Sequence, residues 1–288
     1  MILNASGCLD ALTAPEVARQ LDAFVTKTVT PLPRGGNAPT RIAETDVGML
    51  NSIGLANPGI DSFRETLPRL AELGVPIWAS VGGFSADDYA DVCRELDEEP
   101  VVDTIELNVS CPNVAAPEDE AEAIVAAARA ATSKPLYAKL SPAVPDIGAV
   151  AASAARAGAD GLSLVNTMRG LALDARTLEP TLSTATGGLS GPALRPIALA
   201  AVFACFRATS LRIVAMGGIE TGRHALELIA AGATACALGT VLFGDPGAPV
   251  RIRAELEAEA TALGFETPLA AYGAAHGEAG RRALPRVA

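Results

Sequence analysis

Short apolar runs recur along this chain, separated by longer segments in which apolar and polar residues alternate with a helical period. The runs are Ile2–Ser6, Phe24–Val29, Ile77–Val81, Thr104–Ser110, Leu136–Leu140, Gly161–Asn166, Arg212–Met216 and Ala235–Gly239. Several are apolar almost throughout, as parallel strands covered on both faces must be. The segments between them carry helix signals. Thr13-Ala14-Pro15-Glu16 has capping-box spacing with a proline in the first turn, and Ser85-Ala86-Asp87-Asp88 offers a serine cap backed by acids. Leu73-Gly74-Val75, Ala157-Gly158-Ala159 and Ala231-Gly232-Ala233 each put a glycine where a helix ends just before the next strand. Eight strands alternating with helices predict a (β/α)₈ barrel, a single α/β domain spanning residues 1–288. An open doubly wound sheet is the alternative. Residues 30–59, rich in proline and glycine, form an elaborated loop over the barrel top in this reading, and 264–288 form a closing helix and tail.

Composition narrows the class. Half of the 288 residues are apolar but only 4% are aromatic, so the core is built from small side chains. The net charge of −11 argues against a nucleic-acid or anionic-membrane surface, though not against a local basic pocket. The longest apolar run, Ile197 to Phe206, is about half the length that a membrane-spanning helix requires. No charged segment precedes an apolar stretch at the N-terminus, so no secretory leader is expected. The five cysteines (Cys8, Cys93, Cys111, Cys205 and Cys236) are scattered and never spaced as C-x-x-C. Reduced thiols in a cytoplasmic protein, with no disulfide framework and no metal site, are the expectation.

In a barrel, chemistry sits at the C-terminal ends of the strands. Those ends read Asn4 to Gly7, Lys27-Thr28, Ser80, Asn108 with Cys111 and Asn113, Lys139, Asn166-Thr167, Gly217-Gly218 and Gly239-Thr240. Lys27 and Lys139 both fall at strand ends, where a buried ammonium is costly without an anion. The two glycine pairs follow the seventh and eighth strands, the usual place for a phosphate in this fold. With Lys139 they suggest a phosphorylated cofactor across the mouth. Met216-Gly217-Gly218-Ile219-Glu220-Thr221-Gly222 lacks the G-x-G-x-x-G spacing of a dinucleotide site. Cys111 has no histidine near it in sequence, so base, core thiol, nucleophile and metal ligand all have to be weighed.

The motifs resemble those of class 1 dihydroorotate dehydrogenases, from about Asn4 to Phe243. The resemblance rests on Asn4-Ala5-Ser6-Gly7, Thr26-Lys27-Thr28, Gly48 to Leu55 (GMLNSIGL), Asn108 to Asn113 (NVSCPN), Tyr137 to Ser141, Val165-Asn166-Thr167, Gly187 to Pro192, Gly217-Gly218-Ile219 and Gly239-Thr240. It implies an FMN-dependent (β/α)₈ barrel that oxidises (S)-dihydroorotate to orotate in pyrimidine (UMP) synthesis. A proton leaves C5 and a hydride passes from C6 to flavin N5. Cys111 takes the place of the general base, a role for which a thiol of pKa ~8.5 needs no activating histidine. Lys139 lies by the flavin N1/C2 carbonyl, and Lys27 spans flavin and substrate carboxylate. Ser6, Thr28, Asn108, Val165 and Gly191 are implied FMN contacts, with Gly217, Gly218, Gly239 and Thr240 on its phosphate. Asn51, Ser52, Ile53, Gly54, Leu55, Asn108, Asn113, Asn166 and Thr167 bind the substrate ring. Asparagine suits its neutral edge because it offers donor and acceptor without a charge to desolvate.

Pro39 to Thr45 and Thr186 to Pro192 look like subclass 1B, whose members pass electrons to NAD⁺ through a second subunit carrying FAD and an iron–sulfur cluster; class 1 relatives also suggest a homodimer core. The alternatives are a fumarate-using 1A enzyme, a flavin barrel acting on another dihydropyrimidine, and a non-catalytic flavin-binding subunit. The chain departs from the family pattern in a short N-terminal segment, a short loop after Asn113, and Ser80 where an asparagine is expected.

Overall fold

The computed structural model describes residues 1–109 and 117–285. Eight parallel strands form the barrel: β1 (Ile2–Asn4), β2 (Phe24–Val25), β5 (Ile77–Val81), β6 (Val102–Asn108), β7 (Leu136–Leu140), β8 (Gly161–Leu164), β11 (Arg212–Met216) and β12 (Ala235–Leu238). They are ordered β1-β12-β11-β8-β7-β6-β5-β2. A parallel bridge between Leu3 and Ala23 closes the ring. All eight runs read from the apolar pattern are barrel strands, and the doubly wound alternative is excluded by the closure.

The closing seam is short because side chains take over from the ladder. The Asn4 amide accepts from Val25 N–H at 2.8 Å and donates to Val25 C=O at 2.7 Å. Beyond Val25 the Thr26 hydroxyl accepts from Ser80 N–H at 3.1 Å. This substitution ends β2 after two residues, where the apolar pattern extends to Val29. Lys27 consequently lies just past the strand. Three aspartates, Asp22, Asp103 and Asp160, accept from the N–H groups of Ile2, Ile77 and Leu136 and so cap strand starts at the opposite end.

The barrel interior explains the composition. Trp78 and Tyr137 pack at a ring-centroid distance of 4.6 Å among Leu3, Val25, Val214, Met216, Ala235 and Ala237. Gly161 makes room for them, since a Cβ there would meet the Tyr137 ring at 2.2 Å. Two large rings surrounded by alanine and glycine fill a space that uniformly medium side chains would overfill. A larger apolar core lies between the barrel and the surrounding helices, with Leu96, Ile105, Val125, Leu162 and Ile252 among its buried members.

The 30–59 segment is more ordered than a loop. It holds β3 (Ile42–Thr45) and β4 (Gly48–Asn51), which join β9 (Met168–Leu171) and β10 (Thr186–Ser190) in an antiparallel sheet ordered β3-β4-β10-β9. Their short, partly exposed strands carry a weaker apolar signal than the barrel's. Ser85 caps its helix by accepting from Asp88 N–H, but Thr13 does not cap: its hydroxyl donates to Asp10 C=O and Ala14 holds the cap position. Gly74, Gly158 and Gly232 all have positive φ, as their helix-end positions require. The tail begins with the 3₁₀ turns Pro268–Ala271 and Ala274–His276. His276 stacks between Phe203 and Phe206 at 4.0 and 4.2 Å, which fastens this segment to the body. No helix among the described residues is long and apolar enough to cross a membrane.

Candidate active site

The strand ends and the antiparallel sheet enclose a cavity of about 880 Å³ at the barrel mouth. Every described residue that the resemblance assigns to cofactor or substrate lines it: Ser6, Lys27, Thr28, Asn51 to Leu55, Asn108, Lys139, Val165, Asn166, Thr167, Gly191, Gly217, Gly218, Gly239 and Thr240. Cys111 and Asn113 lie outside the described residues.

A chain of hydrogen bonds crosses the mouth. The Asn166 amide donates to Asn108 Oδ1 at 2.9 Å, and the Asn108 amide donates to Thr28 Oγ1 at 3.4 Å. Thr28 Oγ1 lies 3.0 Å from Ser80 Oγ and 3.3 Å from Ser6 Oγ, and Ser6 donates to Thr26 C=O. Tyr89 reaches in from the helix Ala86–Asp97 and donates to Asn108 C=O at 2.7 Å. The network draws on the ends of β8, β6, β2, β5 and β1, so the amides are fixed before any ligand arrives. Ser80 is a member of it, fully buried, and its hydroxyl serves the network where an amide was expected.

The two lysines differ in setting. Lys139 projects from β7 with its side chain 7% exposed, and its Nζ lies 3.4 Å from Glu106 Oε1 on β6. Lys27 is open to the cavity on one side and crowded by protein on the others. Burial, and then the nearby Lys139 charge, push its pKa below the usual lysine value, with Cys8 partly opposing them. A pair of converging cations, one of them without a carboxylate contact at hydrogen-bond distance among the described residues, is a receptor for anions. Cys8 also lines the cavity, and burial raises its thiol pKa in spite of both lysines. Cys93, Cys205 and Cys236 are buried elsewhere, their thiols pushed up to about 12 by burial. Neither histidine lines the cavity: His224 accepts from Glu220 N–H and His276 is held in the tail.

The 51–55 segment is clamped from behind. Asn37 donates to Ser52 Oγ at 2.7 Å and through its backbone N–H to Ile53 C=O, while Asn57 donates to Leu55 C=O. Thr184 donates to Ser52 Oγ, and Asn51 donates to Gly188 C=O. Asn37, Asn57 and Glu106 went unremarked in the sequence. For Glu106 a signal existed, since it is the one charged residue in the otherwise buried part of its strand; the two asparagines sit in irregular chain where nothing distinguishes them.

Glycines bring the far wall close. Gly218, at φ +68°, has no room for a Cβ: one would lie 2.9 Å from both Arg195 N and Gly191 O. A Cβ on Gly188 would meet Thr167 Oγ1 at 2.0 Å. No described acceptor takes the backbone N–H groups of Gly218 or Gly239. Bare N–H groups on a surface stripped of side chains suit an oxyanion such as a phosphate.

Comparison with known proteins gives the family. The family model for dihydroorotate dehydrogenase matches residues 1–259. The chain belongs to the dihydroorotate dehydrogenase family. It is similar to the dihydroorotate dehydrogenase B (NAD(+)) catalytic subunits of Desulforudis audaxviator (44% identity over 96% of this chain and 93% of that one) and Anoxybacillus flavithermus (42% identity; 92% and 88%). The same subunit of Listeria monocytogenes is 40% identical over 92% of this chain and 91% of its own length. A crystal structure of the Eimeria tenella dihydroorotate dehydrogenase in complex with ferulenol shares the fold, with a TM-score of 0.81 at 23% identity over 96% of this chain and 85% of that one. Membership of the dihydroorotate dehydrogenase family makes the chain an oxidoreductase acting on a CH–CH bond.

Proposed function

We propose that this chain oxidises (S)-dihydroorotate to orotate with FMN as the bound electron acceptor, as the catalytic half of an NAD-linked enzyme of pyrimidine synthesis. The observation that carries the reading is the meeting, in one cavity, of two lysines, a rim of hydrogen-bonded asparagines and a wall of bare glycines. A cationic end answers a carboxylate, neutral amides answer an imide-like ring edge, and the glycine wall answers a phosphate.

The residues present fit FMN. Gly217, Gly218, Gly239 and Thr240 would hold its phosphate, the tight approach at Gly218 leaving the N–H surface uncovered. Ser6, Thr28, Asn108, Val165 and Gly191 would meet the rest, with Lys139 at its most electron-rich edge. When bound, FMN supplies a two-electron acceptor for the hydride that leaves substrate C6. Lys27 would bind the substrate carboxylate. Asn51, Asn108, Asn113, Asn166, Thr167 and the backbone of Ser52 to Leu55 would fix the ring. Fixing it in one orientation before reaction is the main contribution of a rigid rim. Cys111, three residues beyond Asn108 in sequence, would take the C5 proton, and no cavity histidine among the described residues competes for that role.

The names of the relatives support a partner subunit that relays electrons to NAD⁺, for which FAD and an iron–sulfur cluster are the carriers we propose. A homodimer core in the cytoplasm completes the reading; exposed Val47, Leu171 and Leu173 in and beside the antiparallel sheet offer apolar area for such a contact. A steady-state comparison of dihydroorotate with dihydrouracil tests the substrate. Dihydroorotate is preferred if Lys27 meets a carboxylate; preference for dihydrouracil overturns the assignment. Turnover by the isolated chain with fumarate would instead favour the 1A mode.

A further inference from the structure

A buried carboxylate lies directly behind the lysine at the cofactor edge. Glu106 is on β6, two residues before Asn108, and its side chain is 1% exposed. In register, Asn108 pairs with Lys139 and Lys139 with Ser163, whereas Glu106 pairs with Ser80 and Tyr137, one layer deeper in the barrel. Lys139 Nζ therefore stands between the cavity and Glu106 Oε1, 3.4 Å away. Taking both charges out of water is expensive, and packed apolar side chains would stabilise the barrel at least as well. The Ser163 hydroxyl, in register with Lys139, has no hydrogen-bond partner among the described residues.

We propose that Glu106 is a positioning residue that sets the strength of the positive field Lys139 presents to the flavin. This inference rests on the functional reading above. An uncompensated ammonium beside the flavin would favour the reduced, more negative form strongly. The carboxylate behind it weakens that preference, which suits a flavin that must release its electrons towards NAD⁺. Glu106 acts through Lys139, whose Nζ lies 3.4 Å from its Oε1.

The test is the two-electron midpoint potential of the FMN-loaded chain, measured at neutral pH by anaerobic titration against reference dyes. Glu106→Gln favours the reduced form by at least about tenfold, a rise of about 30 mV for a two-electron couple. Lys139→Met lowers the potential, and Glu106→Gln added to Lys139→Met raises it by less than Glu106→Gln does alone. An unchanged or lowered potential in Glu106→Gln overturns the proposal. Should that variant not fold, Glu106→Asp decides: its shorter stem draws the carboxylate away from Lys139 Nζ, so a raised potential upholds the proposal and an unchanged or lowered one overturns it. A wild-type chain that takes up no FMN refutes the functional reading itself, whereas yellow protein whose Glu106→Gln potential has not moved refutes this inference alone.

Discussion

Replacing Lys27 with methionine keeps most of the stem and removes the charge that the account assigns to the substrate carboxylate. A hydrogen bond to a charged partner contributes about 1.5–3 kcal/mol. At about 1.4 kcal/mol per factor of ten, orotate affinity should fall by about 10- to 150-fold. The lower half of that range is expected, because Lys27 is open to the cavity and water competes there. Stability should not fall with it. Lys27 has its pKa depressed by burial and by Lys139, so in the unliganded chain its charge is a cost, and Lys27→Met removes that repulsion. The sign of the pH effect follows: a carboxylate ligand favours protonated Lys27, and wild-type affinity is lost as pH rises through the depressed pKa, earlier than an ordinary lysine would lose it. The variant should show a flat profile over that window. The assay is titration of the flavin absorbance with orotate at several pH values, alongside thermal melting. Orotate binding that is unchanged in strength and pH profile would refute the role given to Lys27.

Cys111→Ser should retain FMN and slow anaerobic flavin reduction by several orders of magnitude at neutral pH, because a serine hydroxyl is far less acidic than a thiol; stopped-flow absorbance reads the rate, and wild-type kinetics would remove Cys111 from the base role. Gly218→Ala places a methyl 2.9 Å from Arg195 N and Gly191 O, so the purified variant should carry less FMN and need a higher concentration to reload, as fluorescence of released flavin would show. Gly161→Ala pushes a methyl into the Tyr137 ring. Overpacking of this kind costs about 1–3 kcal/mol, to be read from the shift of a denaturant midpoint at unchanged slope.

The barrel was legible in the sequence because several of its strands, covered on both faces, read as near-continuous apolar runs. The antiparallel sheet was not, since Ile42–Thr45 and Met168–Leu171 alternate exposed and half-buried positions and resemble loop. The early end of β2 was equally hidden: whether the Thr26 carbonyl or its hydroxyl takes the ladder bond depends on Ser80, fifty-four positions away. Within the site, charged or glycine-rich strand ends were visible as departures from apolar pattern. Asn37 and Asn57 act through contacts with the 51–55 segment and become meaningful only once those turns are in place.

The central claim is that the strand-end residues form a site in which dihydroorotate gives two electrons to bound flavin. Anaerobic addition of dihydroorotate to the FMN-loaded chain tests it without any partner or external acceptor. Loss of the oxidised flavin absorbance, with release of one orotate per flavin, is the expected result. Flavin that stays oxidised while dihydroorotate is bound would contradict it.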